Sequence, residues 1–321
     1  MPISIVIPNH NRINALALTL ETLCRQTCPP AEYEVIVVDQ VSADGSRELV
    51  KNFAAPYELR LVEQNGQYGI SVGRNGGIQA AAGELVILLD ADILAHPGLV
   101  QAHADLHGRP PGFILGCGRL LPYLPAYTTF IEQVANPDAC LDRGPEPGKF
   151  PFWFAFGGHL SFHVEAFRQV GPFKPELKGA EDIEFAYRAA QAGVEVENCP
   201  QAIGYHNHPR SLAERCRRAF GYWSMIPAFL DMHPELRGTI PGIAELEPWQ
   251  PGRDDLGLWR SKTRAAFWSL RPLRLALYAY LLWAEKERAL PRLAKFSYYR
   301  LILGQMRAGA TQGKDIFNQL I

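Results

Sequence analysis

The sequence predicts an α/β fold: a mostly parallel sheet with helices on both faces over residues 1–210, then a mainly helical, basic appendage over 211–321. Three observations carry this prediction. Short apolar runs alternate with amphipathic stretches through the first half, the pattern of strands joined by crossover helices. Two of those runs close on an acid, Asp39 and Asp90, where open α/β sheets place their ligands. Past Pro209 the apolar spacing becomes helical, with Arg, Trp and Tyr interleaved.

Each element follows from its local pattern. Residues 3–7 are an apolar run stopped by Pro8, the form of a buried strand. Leu16, Leu20 and Leu23 share one face of the helix that follows. Residues 35–38 form the second strand, and Asp44, Gly45 and Ser46 turn the chain into another helix. Residues 59–62 are the third strand, 71–82 a helix of small residues, and 85–89 the fourth strand. The Pro- and Gly-rich stretch 136–151 reads as a loop. A compact segment with Phe156, Gly157 and Gly158 leads to a helix over 181–192. Helical periodicity over 212–230 and 256–307 is interrupted by the prolines and glycine of 234–255.

With 47% hydrophobic and 20% charged residues, the composition excludes a disordered chain. The net charge of -1 conceals an asymmetry: residues 210–321 hold 18 Lys+Arg against 10 Asp+Glu, leaving 14 against 23 for the front. An acidic front suits a metal site; a basic tail suits an anionic partner or a solvated helical surface. The six cysteines, Cys24, Cys28, Cys117, Cys140, Cys199 and Cys216, form no CxxC pair, so a reducing cytoplasm is expected. The first residues lack a signal-peptide pattern, and the apolar run 273–284 contains Arg274 and is too short to span a bilayer.

Several residues could carry chemistry. Asp90 and Asp92, two apart after an apolar strand, put two carboxylates on one side if the chain stays extended. Such a site suits Mg²⁺ or Mn²⁺ carrying a diphosphate; the competing reading is a solvated loop. Arg74, Asn75, Gly76 and Gly77 would let backbone and guanidinium approach phosphate, or simply begin a helix. Asp39 could hydrogen-bond a base or ribose, or cap a turn. Glu181 and Asp182 open a helix, where a carboxylate could act as general base or merely favour the helix dipole, with Glu184 completing a capping pattern. His206 or His208 could ligate a metal, and His10, His159 and His163 share that ambiguity.

In order, ISIVIPNHNR, YEVIVVDQVSADGS, GISVGRNGGIQAAAGELVILLDAD, FGGHLSF, GAEDIEFAYRAAQAG and YHNH resemble the family 2 glycosyltransferases with the GT-A fold. The resemblance covers residues 1–210, with a nucleotide-binding half over 1–120 and an acceptor-side half over 121–210. It implies that Pro8, Asn9 and Arg12 line the nucleotide, that Asp39 reads the base, and that Arg74 and Asn75 lie near ribose and phosphates. It implies a metal motif at Asp90 and Asp92, with Asp92 contacting the ion and His206 helping to hold it. Gly157 and Gly158 would wall the donor sugar, with Asp182 the catalytic base and Glu181 its neighbour. Two departures bear on the donor: Gln40 where relatives often carry a second acid, and Val41 where they carry Gly.

The expected function is therefore inverting, Mn²⁺- or Mg²⁺-dependent transfer of a sugar from a UDP- or dTDP-linked donor to a saccharide or lipid-linked acceptor, in cell-surface polysaccharide or glycolipid synthesis. A sugar-phosphate nucleotidyltransferase and a non-catalytic nucleotide-sugar-binding protein are the alternatives. The former is weakened because the segment 8–12 has no glycine. The expected setting is cytoplasmic, with peripheral contact to an anionic membrane through 256–307 and a homodimer both compatible. The acidic front argues against nucleic acid.

Overall fold

The computed structural model describes all residues except 1, 65, 67, 109–113, 127–128, 136–143, 145, 241, 247–255 and 313–321. Cys140 and parts of the stretches 136–151 and 234–255 lie outside the described residues. The chain divides into two compact units, Met1–Tyr123 with Asp138–His208, and Leu124–Pro137 with Pro209–Ile321.

The first unit begins with β1 (Ile3–Asn9), α1 (Ile13–Leu23), β2 (Tyr33–Gln40), α2 (Ser46–Asn52), β3 (Glu58–Gln64), α3 (Ile70–Ala80) and β4 (Leu85–Leu89). β5 (Ile93–Ala95), α4 (Leu99–His107) and β6 (Ile114–Pro122) follow. One helix of the other unit, α5 (Phe130–Ala135), precedes β7 (Gly148–Phe150), β8 (His159–His163), α6 (Val164–Val170), α7 (Glu181–Gln191) and β9 (Glu195–His206). The sheet order is β3-β2-β1-β4-β8-β6-β9-β5, with β7 added on β9. β3, β2, β1 and β4 run parallel, as the alternating pattern predicts. The second half is mixed: β8 is antiparallel to both β4 and β6, β6 and β9 are parallel, and β5 and β7 are antiparallel to β9.

The central strands are buried on both faces, which is why they read as continuous apolar runs. On one face Ile5, Ile7, Val35, Val37 and Ile87 pack with Leu16, Leu20 and Leu23 of α1. On the other Val6, Ile36, Val38, Val86 and Leu88 pack with Ile78 of α3 and Phe185 of α7. Gly77 lets α3 lie against this face, since a Cβ there would sit 2.2 Å from Val6 and 2.9 Å from Val38. The glycines of α3 thus serve helix-on-sheet packing; a Cβ on Gly76 would strike Gln64.

The second unit is helical: α5, α8 (Leu212–Trp223), α9 (Ile226–Met232), α10 (Ile243–Leu246), α11 (Leu256–Trp268), α12 (Arg271–Glu287) and α13 (Pro291–Gln312). α8 starts with a reciprocal capping box between Ser211 and Glu214. The first N–H groups of α5 are taken by Glu285, from Phe130 at 2.8 Å and Ile131 at 2.7 Å, so a carboxylate of α12 caps α5. Its core joins Ile131, Cys216, Leu281, Ala284 and Leu301. No helix among the described residues is long and apolar enough to cross a membrane.

Candidate active site

The site residues gather in the first unit, beyond the carboxyl ends of β1, β2 and β4. β4 ends at Leu89, and Asp90–Asp92 turn rather than continue, closed by Ile93 N–H donating to Asp90 O at 3.1 Å. The two acids therefore do not share one side as an extended segment would require. Each carboxylate meets different partners.

Asp92 lies at the strand-end turn beside two histidines. β5 pairs antiparallel with β9, setting Ile93 opposite His206, and Asn207 N–H donates to Asp92 O at 2.8 Å. These backbone contacts hold the stretch carrying His206 and His208 against the turn. His206 Nε2 is 3.8 Å from Asp92 Oδ1, and His208 Nδ1 bonds Asp92 Oδ2. Arg12 Nη1 reaches the same Oδ2 at 2.8 Å. Burial would raise the Asp92 pKa, but the His208 hydrogen bond, with the His206 ring and the Arg12 guanidinium nearby, holds it well below the usual carboxylate range.

These residues fit a divalent cation. Asp92 Oδ1 is buried and accepts no hydrogen bond among the described residues, a costly state for a carboxylate oxygen unless a cation takes it. One ligand atom each from Asp92, His206 and His208 lie within 4.8 Å of one another. A carboxylate oxygen with two imidazole nitrogens is a borderline donor set for a divalent transition ion. The sequence left His206 and His208 as alternatives; the fold brings both to Asp92. Asp90 is outside this group.

Asp90 instead faces Arg74, Nη2 to Oδ1 at 3.4 Å. Arg74 is buried in α3 and also donates from Nη1 to Glu181 Oε1 at 2.9 Å. Glu181 and Asp182 occupy the first turn of α7; Ala180 is the N-cap and provides no side-chain cap. Glu184 pairs with Arg188 at 2.8 Å, so the capping pattern expected as the competing reading is not formed. Asp182 accepts from Gly157 N–H at 3.1 Å and from Ile183 N–H at 2.9 Å. Burial raises the pKa of both Glu181 and Asp182; Asp182 also repels the charge on Glu181, and Arg74 only partly opposes these effects.

The paired glycines are explained by this crowding. A Cβ on Gly157 would lie 2.4 Å from Arg74 Nη1, and one on Gly158 would lie 2.5 Å from Asp90 Oδ2. Gly158 O accepts from Asp90 N–H at 2.9 Å. The segment 156–158 thus runs between Asp90 and Asp182 and touches both.

At the ends of β1 and β2, Asn9 donates from Nδ2 to Asp39 Oδ2 at 3.1 Å. Asp39 also accepts from Ser42 N–H at 3.0 Å and from Arg47 Nε at 2.6 Å. Burial would raise its pKa, but the bonds from Ser42, Arg47 and Asn9 keep it low, so Asp39 is ionised. Pro8 packs toward α3, 3.0 Å from a Cβ built on Gly73. Asn75 spends both ends of its amide on Phe173, donating to its O at 2.8 Å and accepting from its N–H at 2.9 Å. It thereby pins the 173 segment to α3. Gln40 is likewise engaged, with Gln64 at 3.2 Å and Gly69 O at 3.0 Å.

The remaining histidines separate by environment. His10 packs at a tilt against the exposed Tyr68, ring centroids 4.4 Å apart, and its Nδ1 lies 2.6 Å from Gln40 O. His159 belongs to a buried chain with His103 (3.1 Å), Ser161 (2.8 Å from His103) and His107 (2.8 Å from Ser161). Desolvation pushes His159 down to about 3 and His103 well below its ordinary value. These rings are neutral core residues. His163 stacks edge-on with His107. Two contacts carried no local signal in the sequence: Arg12 to Asp92 spans 80 residues, and His208 to Asp92 spans 116.

An α/β sheet of this order, with a carboxylate–imidazole group at a strand-end turn and buried acids beside it at a helix start, is of the GT-A type. Comparison with known proteins agrees. The family described as Glycosyl transferase family 2 matches residues 4–123, and the N-terminal domain of galactosyltransferase matches 147–211. Residues 4–123 thus carry a family 2 glycosyltransferase domain. A chondroitin synthase of Escherichia coli is 29% identical over 251 residues, covering 68% of this chain and 36% of that protein. A validoxylamine A glucosyltransferase of Streptomyces hygroscopicus subsp. limoneus is 29% identical over 220 residues, covering 60% of this chain and 48% of that protein. The chain thus spans about half or less of the length of these two curated relatives. Among solved structures, a mannosyltransferase from Pyrobaculum calidifontis in complex with GDP-Man and Mn²⁺ shares the fold. Its TM-score is 0.60 at 20% identity, over 98% of this chain and 88% of that one.

Proposed function

We propose that this protein transfers a sugar from a UDP- or dTDP-linked donor to an acceptor hydroxyl, with inversion and with a divalent ion at Asp92. The observation that carries the reading is the contact between the two acidic groups. Gly157 N–H bonds Asp182, Gly158 O bonds Asp90 N–H, and Arg74 bridges Asp90 and Glu181. A base on α7 therefore sits beside the strand-end turn that carries Asp92.

Asp182 is the general base in this reading. Its burial raises its affinity for a proton, which suits a group that must take one from an acceptor hydroxyl near neutral pH. Gly157 N–H orients the carboxylate, and the Arg74 guanidinium meets the charge of the neighbouring Glu181. Asp92, His206 and His208 would hold the ion, which when bound would neutralise charge growing on the diphosphate leaving group. Two imidazoles in the donor set favour Mn²⁺ over Mg²⁺. Asp39, ionised and fixed by Asn9 and Arg47, would accept from a base N–H, and the exposed Tyr68 ring offers a stacking face. The acceptor class, a saccharide or lipid-linked saccharide of a cell-surface polymer or glycolipid, is supported by the polymer synthase among the relatives.

A thermal-shift panel of UDP-, dTDP- and GDP-sugars, with and without Mn²⁺, tests this directly. A donor at about 100 times its Kd stabilises by about 2.7 kcal/mol, enough to distinguish it. The reading expects a Mn²⁺-dependent shift from one UDP- or dTDP-sugar. A shift from GDP-sugars alone would move the base assignment, and none from any nucleotide sugar would end the proposal. Pyrophosphate release from UTP and a sugar phosphate would instead favour nucleotidyl transfer.

A further inference from the structure

The helical unit carries a surface that the sugar-transfer site does not use. Among the described residues, twelve large hydrophobics are exposed, and eight of them fall between Phe267 and Tyr299. Scattered exposed apolar residues are ordinary; a concentration of this kind marks an interaction surface. It centres on the corner where α12 turns into α13, with Leu282 and Trp283 before the turn, Leu290 in it, and Leu293 and Phe296 after it.

The same corner is basic. Lys286, Arg288, Arg292 and Lys295 are exposed there, against one exposed acid, Glu287. Upstream on α11 and at the start of α12, Arg260, Arg264 and Arg271 are exposed as well. Arg300 lies over the Phe296 ring, 4.9 Å from its centroid, so the exposed ring packs against a cation.

The turn is held in an unusual backbone. Arg288 has φ 48° and Leu290 φ 50°, the left-handed region that large side chains avoid. A helix ending in this conformation normally uses glycine or asparagine. Here an arginine and a leucine occupy it, and Leu290 is 55% exposed at its tip. Strained residues tend to persist where they have a task.

We propose that this corner docks the protein on the surface of an anionic lipid bilayer. Leu290, Trp283, Leu293 and Phe296 would enter the headgroup boundary, and the surrounding Lys and Arg would meet lipid phosphates. Long basic side chains can lay their stems along the apolar zone while their charge stays at the headgroups, and a Trp ring suits the same depth. Charge decides between a bilayer and a second copy of the chain. A symmetric dimer through this corner would face a basic surface with the same basic surface, whereas an anionic membrane complements it. No helix among the described residues is long and apolar enough to cross a bilayer, and the contact proposed is a peripheral one.

Flotation of the full chain with vesicles of phosphatidylglycerol and phosphatidylcholine, against phosphatidylcholine alone, tests this without any sugar-transfer readout. The wild type should float with the anionic vesicles only, and release at high salt. Arg288→Gln with Arg292→Gln should weaken partitioning roughly thirtyfold, since each basic residue near such a surface contributes about a factor of five. Trp283→Ser with Leu290→Ser should also lose flotation while keeping the wild-type circular dichroism. Absence of wild-type flotation with anionic vesicles, or equal flotation with neutral ones, overturns the proposal. So does a dimer in light scattering that Trp283→Ser with Leu290→Ser dissociates, because the corner would then be a self-interface.

Discussion

Arg74 Nη1 donates to Glu181 Oε1 over 2.9 Å, although 107 residues separate them. This bond ties α3 to the first turn of α7 and sets a guanidinium among Asp90, Glu181 and Asp182. Arg74 is fully buried, so removing its charge leaves buried carboxylates without compensation. We expect Arg74→Met to lower stability by about 3–5 kcal/mol, read as a fall in the urea midpoint. An unchanged midpoint would show that the acids do not depend on this partner.

Gly157 and Gly158 have no room for a methyl group. The added Cβ at 157 meets the buried Arg74, and at 158 it meets Asp90 and the Phe156 ring. We expect Gly158→Ala to displace Asp90 and lower donor affinity at least tenfold, by about 1.4 kcal/mol or more, while circular dichroism stays native. Isothermal titration with the donor found in the thermal-shift panel measures this, and wild-type affinity would contradict it.

Val41, at the end of β2, has φ 58°. A β-branched residue is poorly suited to this region, and glycine adopts it freely. Val41 is half-exposed, so little packing is lost on its removal. Val41→Gly is expected to stabilise by about 1 kcal/mol. A calorimetric Tm at or below the wild type would show that side-chain contacts outweigh the backbone term.

The His103–His159 pair makes the fold acid-sensitive. Both rings have folded pKa values depressed by burial, His159 to about 3, whereas unfolded histidine titrates near 6.5. Above that value both states are neutral and the packed chain contributes fully. As pH falls below it, the unfolded state takes up protons that the folded rings refuse. Stability is then lost at about 1.4 kcal/mol per pH unit for each ring. Urea midpoints at pH 7.5 and 5.5 should show this decline, reduced in His159→Gln; pH-independent midpoints would contradict it.

Much of this was legible in the sequence, because strand burial and helix faces are local periodicities. Residues 3–7, 35–38 and 85–89 could be read as core strands because both their faces are covered, and Leu16, Leu20 and Leu23 declared the inner face of α1. Asp39, Asp90 and Asp92 stood out by following such runs. What could not be read is where side chains meet. The turn at Ala91 separates Asp90 from Asp92, and no periodicity signals it. Arg12 and His208 reach Asp92 only because β1, β5 and β9 converge. The antiparallel placement of β8 between β4 and β6 depends on the whole sheet, and the capping of α5 by Glu285 joins segments 155 residues apart.

The cation group makes a separable prediction. Asp92→Asn and His208→Ala should each weaken Mn²⁺ binding at least about tenfold, as loss of a ligand does. Asp90→Asn should change it little, because Asp90 faces Arg74. Electron paramagnetic resonance titration of free Mn²⁺ distinguishes them, and equal losses in all three would reassign Asp90 to the ion.

The role of Asp182 is tested most directly by donor hydrolysis and transfer in Asp182→Asn, measured beside donor and Mn²⁺ affinity. The amide keeps the shape and can still accept from Gly157 N–H, but it cannot take a proton. The account predicts wild-type affinities with turnover reduced by about 10²–10⁴-fold. Turnover equal to the wild type, with binding intact, would remove Asp182 as the base.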